Sequence, residues 1–507
     1  MRNDFCKEDI RKAAKGTGIS LFGGIFGKGL FFITQVVIAR ILGVEAFGLY
    51  AIGISLVKIC SILASAGLHT GGMRFVSLYQ AKDVSKVKGT FIASISIAIM
   101  NGSFIGLALY FASPAICAKI FHKPELVTIF RLFSYSLPLS STMVVFPYLL
   151  QGFHTTKYAV YAREIVQPSV NLFFILIFCF YGIGIEGVIY AFFISNAAGV
   201  MAAFILTRTI FPQLTIRKIK AEFDLKNLIG YSLPLLLVAF LHFFLSFIDT
   251  LMLGALGTTE EVGIYRAASQ IPMVMLLFVV ASNSIYAPIA ADLYNRAEME
   301  RFGSILKTTT RWISYISLPF FIFYLFASKE LMLLFGNKYV ETGSAVLIIL
   351  SFRQLVNCLT GGVGLTLSMT SRQNLEAFNS FAMLIMNIGF NFMLIPKYGV
   401  LGAAVSSCVS GCMINSLRVC EVAIIYRIHP FSVTTFKYAA CSTITIAVLF
   451  LIKYIPAPAV ASFTIKAVAI CILTTLLFIL FGTFNQEDKF VRDGFLKKAR
   501  KLTFFPF

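Results

Sequence analysis

The chain alternates long apolar stretches with short polar connections from residue 17 to residue 482. Each stretch is about twenty residues long, the length of an α-helix that crosses a bilayer core of roughly 30 Å. The pattern predicts an all-α polytopic membrane protein of about fourteen transmembrane helices. The predicted spans are 17–39, 44–68, 90–112, 126–150, 157–181, 184–207, 228–254, 264–290, 303–326, 341–368, 373–396, 400–426, 433–455 and 461–482.

The composition supports a membrane protein. Of the 507 residues, 58% are hydrophobic, 14% are aromatic and 13% are charged, whereas soluble domains carry about 25% charged residues. The net charge of +20 would suit a nucleic-acid-binding protein. However, the Lys and Arg residues stand in short connections without an interleaved aromatic platform, so we expect no nucleic-acid partner.

The sequence lacks common motifs for metal and nucleotide binding. The ten cysteines include no CxxC pair, and the five histidines include no HxxxH or HExxH pair. The GxxxxGK[ST] loop that cradles a nucleotide is also missing. We therefore expect no metal, no cofactor and no nucleotide. The apolar run at 17–39 lacks a small-residue cleavage site, so it is predicted to be the first helix rather than a signal peptide.

The basic residues predict the orientation of the chain. They cluster before the first predicted span, after the second, before the seventh, after the eighth and in the C-terminal tail. Because Lys and Arg accumulate on the cytoplasmic side of membrane proteins, this distribution places both termini in the cytoplasm. Two termini on the same side require an even number of spans.

The chain repeats itself at a nearly constant offset of about 215 positions. Any one match is weak, but several matches at nearly one offset indicate a duplicated unit of six spans. The matched pairs are Gly48 and Gly263, Tyr50 and Tyr265, Asn171 and Asn387, Tyr181 and Tyr398, and Ser195 and Ser410. Six is an even number, so the two copies have the same orientation in the membrane.

The repeat predicts the domain organisation. Two parallel bundles enclose a cleft, and rocking one bundle against the other exposes that cleft to each side of the membrane in turn. This architecture is typical of a transporter. The predicted segments are a cytoplasmic N-terminal segment (1–16), an N-terminal six-helix lobe (17–207), a cytoplasmic linker (208–227), a C-terminal six-helix lobe (228–426), two additional helices (433–482) and a basic cytoplasmic tail (483–507).

Basic residues lie at mid-depth in three predicted spans: Lys28 in the first, Lys58 in the second and Arg353 in the tenth. A charge at that depth costs about 2.5 to 3.5 kcal/mol on insertion scales, so it usually faces a cavity or a partner. Each also heads a line of polar residues at helical spacing. We predict that Lys28, Lys58, Arg353 and Arg131 bind an anionic substrate in the cleft. Alternatively, Arg131 reaches the outer interface.

The acidic residue Asp249 lies toward the outer end of the seventh span and shares a helical face with His242. Both are candidates for ion coupling. Alternatively, Asp249 pairs with Arg266 across the short outer loop. Arg163 and Glu164 stand near the start of the fifth span and are interpreted as interfacial charges.

Short motifs stand at the ends of several spans. They are Ala39-Arg40-Ile41-Leu42-Gly43 with Phe47-Gly48-Leu49-Tyr50, Gly67 with Arg74, Asp249 with Gly254 and Gly263-Ile264-Tyr265, and Ile395-Pro396 with Tyr398-Gly399, Gly402 and Ala403. With these motifs the chain resembles the polysaccharide-transporter branch of the multidrug/oligosaccharidyl-lipid/polysaccharide flippase superfamily, which includes the O-antigen (Wzx-type) flippases. The resemblance covers the first 430 residues, approximately.

This resemblance implies a flippase that works by alternating access. Its cargo would be an undecaprenyl-pyrophosphate-linked oligosaccharide, moved from the inner to the outer leaflet of the bacterial inner membrane for O-antigen, capsule or exopolysaccharide biosynthesis. Membrane lipids are expected partners, and a polysaccharide polymerase and a chain-length regulator are candidate partners. The protein is expected to act as a monomer.

Three other functions remain open at this point. A peptidoglycan-precursor (lipid II) flippase shares the expected span count, although the usual arginine-rich opening helices are missing. A multidrug and cation antiporter usually has twelve spans and uses carboxylates in its cavity. A membrane glycosyltransferase or polymerase would need a long outer loop or paired carboxylates, which the chain lacks, so we expect that the protein is not an enzyme.

Overall fold

The computed structural model describes the chain except for Met1 and residues 217–218, 453–469, 471 and 479–507. The regular elements of the described residues are helices. The α-helices are α1 (Arg2–Ala64), α2 (Leu68–Tyr79), α3 (Val84–Ile116), α4 (Leu126–Ser134), α5 (Leu137–Gln151), α6 (Lys157–Val160), α7 (Gln167–Phe180), α8 (Gly184–Ile210), α9 (Leu225–Leu256), α10 (Thr259–Gln270), α11 (Met273–Asn295), α12 (Met299–Leu333), α13 (Val340–Thr360), α14 (Val363–Met369), α15 (Gln373–Tyr426) and α16 (Val433–Ile452).

The helices confirm an all-α polytopic membrane protein. Within the described residues, ten helices are long and apolar enough to cross a membrane, or eleven if α4 and α5, bent by 52°, form one span. Two of the ten, Phe22–Tyr79 and Gln373–Tyr426, have 58 and 54 residues, whereas one span needs about twenty. The count of fourteen stays a prediction. The span at 461–482 lies largely, and the tail at 483–507 entirely, outside the described residues.

Glycines interrupt the two longest helices. Gly43 in α1 has φ 81° and ψ 174°, and Gly399 in α15 has φ 53° and ψ −130°. A side chain would be strained at these positive φ values, so glycine is the natural residue at both breaks. Gly182, the counterpart of Gly399 in the first copy of the repeat, also has a positive φ of 71° between α7 and α8. The matched glycines therefore perform the same local function in both copies of the repeat.

The predicted linker (208–227) docks on the beginning of α3. Asp83 ends the preceding turn, and its carboxylate accepts hydrogen bonds from two backbone N–H groups of the first helical turn, at 2.9 and 3.1 Å. One turn later, Lys88 Nζ donates to the carbonyl oxygens of Ile216 (2.8 Å) and Ile219 (3.1 Å). These bonds give the lysine two acceptors and attach the linker to α3.

The chain divides into two compact units. Unit 1 comprises Met1–Gln270, Leu334–Val346 and Ser380–Ser410, and unit 2 comprises Ile271–Leu333, Leu347–Asn379 and Gly411–Phe507. The core of unit 1 centres on apolar side chains of α3 and α5, with Phe91 and Phe146 in edge-to-face contact at 5.5 Å. The core of unit 2 includes the fully buried Tyr286 and Phe302. Unit 1 continues past the linker through α9 and α10, so it contains parts of both copies of the repeat.

Candidate functional site

Unit 1 contains a cavity of about 210 Å³ whose lining includes four charged side chains. They are Lys28 and Lys58 from α1 and Arg163 and Glu164 from the segment that precedes α7. We call this space the cationic cavity. Pockets for drug-sized ligands measure about 300 to 1,000 Å³. The cationic cavity therefore suits a small charged group, such as the head group of a larger molecule.

The two lysines lie on different arms of α1, one on each side of the break at Gly43. Lys28 is exposed, and Lys58 is half-buried with its Nζ 5.5 Å from the ring centre of Phe192. In the described part of the chain, neither lysine forms an ion pair with a carboxylate. Cations without a counter-ion are unfavourable at membrane depth, so the cavity favours an anionic ligand.

Arg163 and Glu164 reach the cavity from a π-helical segment, Tyr161–Val166. They form an ion pair with Arg163 Nε 2.8 Å from Glu164 Oε1. The absence of a side chain at Gly27 lets this segment approach α1, because a Cβ there would lie 2.6 Å from the Glu164 carbonyl oxygen. The sequence interpreted the pair as interfacial charges, and the structure places both side chains on the lining of the cationic cavity. A π-helical segment changes the helical register, and hydropathy does not detect that change.

Arg266 of α10 is a further cation of unit 1. The sequence suggested it only as an alternative partner of Asp249. It is 8% exposed, and its Nε lacks a hydrogen-bond partner among the described residues. The guanidinium lies over the ring of Phe247 at 5.5 Å, and it is close enough to Lys58 for the two charges to repel each other. This proximity depends on the packing of α10 against α1. No local pattern in the sequence reveals it.

Asp249 is buried in a second polar site, also within unit 1. Its carboxylate accepts hydrogen bonds from Tyr265 Oη (2.8 Å), Asn391 Nδ2 (2.9 Å) and Ser407 Oγ (2.8 Å). We call these four residues the acidic site. Neutral donors therefore surround the carboxylate. The guanidinium of Arg266, which the sequence offered as the alternative partner, is not one of these three donors. Charged acceptors form stronger hydrogen bonds than neutral ones, so the site is firmly held.

His242, the other candidate for ion coupling, lies in a different environment. Its side chain is exposed, and its carbonyl oxygen accepts a hydrogen bond of 2.8 Å from Ser246 Oγ. Asp249 stands two helical turns later, and its hydrogen-bond donors come from α10 and α15. The shared helical face therefore does not bring His242 into the acidic site.

The remaining two predicted cations lie elsewhere. Arg131 is exposed at the end of α4, with its guanidinium 5.1 Å from the ring centre of Tyr110, a position that fits an interfacial residue. Arg353 is half-buried in unit 2, where its side chain lies against Gly411. The roles of both in substrate binding stay predictions.

The cationic cavity and the acidic site use equivalent residues of the two copies of the repeat. In the first copy, Tyr50, Asn171 and Ser195 line the cationic cavity. In the second copy, Tyr265 bonds to Asp249, and Asn391 connects Asp249 to Asn387, which bonds to Ser410. The equivalent pairs are Thr34 and Asp249, Tyr50 and Tyr265, Asn171 and Asn387, and Ser195 and Ser410.

The described residues offer little for a transition metal, because groups of three or more His, Cys, Asp or Glu side chains do not occur among them. The acidic site instead offers the carboxylate of Asp249 and neutral oxygens such as Ser407 Oγ. Oxygen ligands suit hard cations rather than soft metals. The acidic site therefore suits a proton or a hard cation rather than a soft metal.

Two family models match the chain. Residues 13–293 match the family described as polysaccharide biosynthesis protein. Residues 234–393 match the MatE family. The two matches overlap in α9 to α11, which include Asp249 and Arg266.

Known proteins resemble the chain over most of its length. The probable low-salt glycan biosynthesis flippase Agl15 of Haloferax volcanii is 24% identical over 426 residues, which cover 78% of this chain and 80% of that protein. The lipid II flippase MurJ, in an inward closed conformation, superposes with a TM-score of 0.71 at 16% identity, covering 93% of this chain and 98% of that one.

A multidrug resistance transporter of the MATE family, in an inward-facing conformation, superposes with a TM-score of 0.68 at 15% identity. This match covers 79% of this chain and 94% of that one. At such identities the solved structures establish the fold alone, which this chain shares with both of them.

Proposed function

Because the chain belongs to the family of polysaccharide biosynthesis proteins, we propose that it is a flippase for an anionic, lipid-linked oligosaccharide. The cargo would be linked to undecaprenyl pyrophosphate and would move from the inner to the outer leaflet of a bacterial inner membrane. Such transport serves the biosynthesis of O-antigen, capsule or exopolysaccharide. A relative named as a glycan biosynthesis flippase supports this proposal.

The observation that carries the proposal is the charge of the cationic cavity. Three cations and one carboxylate line it, and the carboxylate of Glu164 is already paired with Arg163. Lys28 and Lys58 therefore keep their charges available for a ligand. Phosphate is the large anion that Lys and Arg usually coordinate, and a pyrophosphate would bring the compensating charge that the cavity lacks.

Alternating access is the proposed mechanism. Two lobes, 17–207 and 228–426, would rock against each other and expose the cavity first to the cytoplasm and then to the outside. Both copies of the repeat retain a Tyr, an Asn and a Ser at equivalent places, which supports two lobes of common design. The lipid tail would stay in the bilayer while the charged head group crosses.

Ion coupling at the acidic site is the second part of the proposal. Asp249 is buried, and the hydroxyl of Ser407 and the amide of Asn391 contact it directly. A proton or an alkali cation that entered would change the charge of a buried group, and such a change can shift the balance between two conformations. His242 is exposed, so the proposal rests on Asp249.

The substrate is tested with the double variant Lys28→Gln/Lys58→Gln. In a strain that depends on this protein for surface polysaccharide, the double variant should abolish polysaccharide export while the protein reaches the membrane in normal amount. The matched control is Lys119→Gln, which removes an exposed lysine outside the cavity. Normal export by the well-expressed double variant would contradict the proposal.

Coupling is tested separately in proteoliposomes with imposed pH and Na⁺ gradients. Transport by the wild type should respond to at least one gradient, and Asp249→Asn should abolish that response. Asp292→Asn, an exposed aspartate in α11, is the control. If transport by Asp249→Asn depends on the gradients as strongly as transport by the wild type, the acidic site does not couple ions to transport.

A further inference from the structure

The two copies of the repeat contact each other through equivalent residues inside unit 1. A Cβ atom on Gly48 would overlap the carbonyl oxygen of Thr259, and a Cβ atom on Gly263 would overlap the carbonyl oxygen of Val44. Gly48 and Gly263 are a matched pair of the repeat, and Val44 and Thr259 are separated by the same offset. The contact is therefore reciprocal, as in the interface of a two-fold symmetric dimer.

A second pair of contacts follows the same offset. Lys123 Nζ donates to the carbonyl oxygen of Gly254 at 2.6 Å, and Tyr339 Oη donates to that of Ala39 at 3.4 Å. Ala39 and Gly254 are themselves equivalent positions of the repeat. Each carbonyl lies within the last turn of a helical arm, where backbone acceptors lack partners inside the helix. In both cases the donor comes from the other copy of the repeat.

Lys123 is held especially tightly, because it also donates to the carbonyl oxygen of Gly257 at 2.8 Å. Burial against these carbonyls lowers the pKa of Lys123, and Glu261 and Glu125 oppose this effect. On the other side, Arg40 Nε donates to the carbonyl oxygen of Leu334 at 2.6 Å. Both charged donors, Lys123 and Arg40, belong to the first copy and reinforce its contact with the second.

These residues stand at the span ends that the basic loops predict to face outside. From the geometry we propose that they form a two-fold latch, defined as Gly48 with Thr259, Gly263 with Val44, Lys123 with Gly254, and Tyr339 with Ala39. The latch closes the outer side of the transporter. Cargo reaches the outer leaflet after both halves of the latch open together, since reciprocal contacts share one packing surface.

The inference rests on the alternating access of the proposed function, but its test needs no substrate. Ser195→Cys, in a chain whose native cysteines are replaced, reports outer exposure of the cavity through its rate of labelling by a membrane-impermeant maleimide. Gly48→Ala and Gly263→Ala should each raise that rate about tenfold, because an added methyl group overpacks the latch. The two increases should be equal within about twofold.

Two glycines provide matched controls. A Cβ on Gly230 or on Gly389 would meet no atom within 4 Å, so Gly230→Ala and Gly389→Ala should leave the labelling rate unchanged. Unchanged labelling in both latch variants, or an increase in one of them alone, would overturn the two-fold latch. An equal increase in the controls would do the same.

Two further variants keep the test valid if the alanine variants fold poorly. Lys123→Met removes the hydrogen bonds to Gly254 and Gly257, and Tyr339→Phe removes the one to Ala39, in both cases without overpacking. Both variants should raise the outer labelling rate. Their controls are Lys119→Met and Tyr398→Phe, whose parent side chains are exposed. Labelling at the wild-type rate in both would contradict the latch. That result would contradict the latch without contradicting the proposed lipid-linked substrate. Conversely, an error in the proposed substrate would not change the labelling rates.

Discussion

The cationic cavity and the acidic site occupy equivalent places in the two copies of the repeat, yet their charges have opposite signs. In the first copy Thr34 stands where the second copy has Asp249. The first site is a cavity lined by lysines that have no carboxylate partner among the described residues, and the second holds a carboxylate surrounded by donors. Equivalent Tyr, Asn and Ser residues of the two copies thus belong to two sites with different chemistry.

The difference assigns different physical roles to the two sites. Lys58 lacks a carboxylate partner in the described residues, so its charge adds to ligand binding. Asp249 already has three donors within 2.9 Å, so removing or replacing it disturbs the protein itself. Substitutions in the cavity should therefore act first on affinity, and substitutions in the acidic site should act first on stability.

The largest effect is expected for Lys58→Gln. Loss of this charge should weaken binding of an undecaprenyl-pyrophosphate sugar about 100-fold, which corresponds to about 2.7 kcal/mol for a bond to a charged group. Binding is measured on the purified protein by thermophoresis, with Lys119→Gln as the control. An affinity within about twofold of the wild type would show that Lys58 does not contact the ligand.

Asp249→Asn should come next, with a loss of about 2 kcal/mol and a melting temperature lower by about 2 °C. The new amide group would face the donors of Tyr265, Asn391 and Ser407, and one of these would lose its acceptor. The melting temperature is measured in detergent. The exposed control Asp292→Asn should shift it by less than about 1 °C. Wild-type melting of Asp249→Asn would contradict the structure of the acidic site.

Thr34→Asp gives the first copy the carboxylate that the second copy has as Asp249. A carboxylate beside Lys58 would neutralise part of the cavity and should weaken binding of the pyrophosphate lipid about tenfold. Thr34→Asn, of similar size but neutral, should bind within about twofold of the wild type. Equal affinities for the Asp and Asn variants would show that charge does not distinguish the two sites.

The smallest contrast is between the equivalent tyrosines. Tyr265→Phe removes a donor from a buried carboxylate and should cost about 1 kcal/mol of stability. Tyr50→Phe should cost less, because the Tyr50 hydroxyl borders a cavity where water can replace a partner. Thermal melting of both variants checks the order. A larger loss of stability for Tyr50→Phe than for Tyr265→Phe would contradict this order.

Much of this arrangement could be predicted from the sequence. Apolar runs indicated the helices, and the nearly constant offset of the repeat paired Tyr50 with Tyr265 and Asn171 with Asn387. The mid-depth charges of Lys28 and Lys58 indicated a cavity, and the structure places both on its lining. The all-α fold is confirmed because hydropathy is a property of the chain itself, whereas ligand binding by the two lysines stays a prediction.

The contacts within the cationic cavity and the acidic site could not be predicted from the sequence. Asn391 and Ser407 lie 142 and 158 residues from Asp249 in the sequence, so no local pattern connects them. Arg163 reaches the cavity through a π-helical segment that hydropathy cannot distinguish from an ordinary helix. Arg266 is close to Lys58 because α10 packs on α1. Tertiary packing determined the first and the last of these cases, and a local change of helix type determined the position of Arg163.

Flipping in proteoliposomes tests the central claim most directly. A fluorescent undecaprenyl-pyrophosphate oligosaccharide is inserted into the outer leaflet alone, and its exposure to an impermeant quencher is followed with and without the protein. The wild type should equilibrate the lipid between leaflets, and Lys28→Gln/Lys58→Gln should leave it where it started. Equal flipping by the wild type and the folded double variant, or no flipping by an active wild type that exports cationic dyes, would contradict the account.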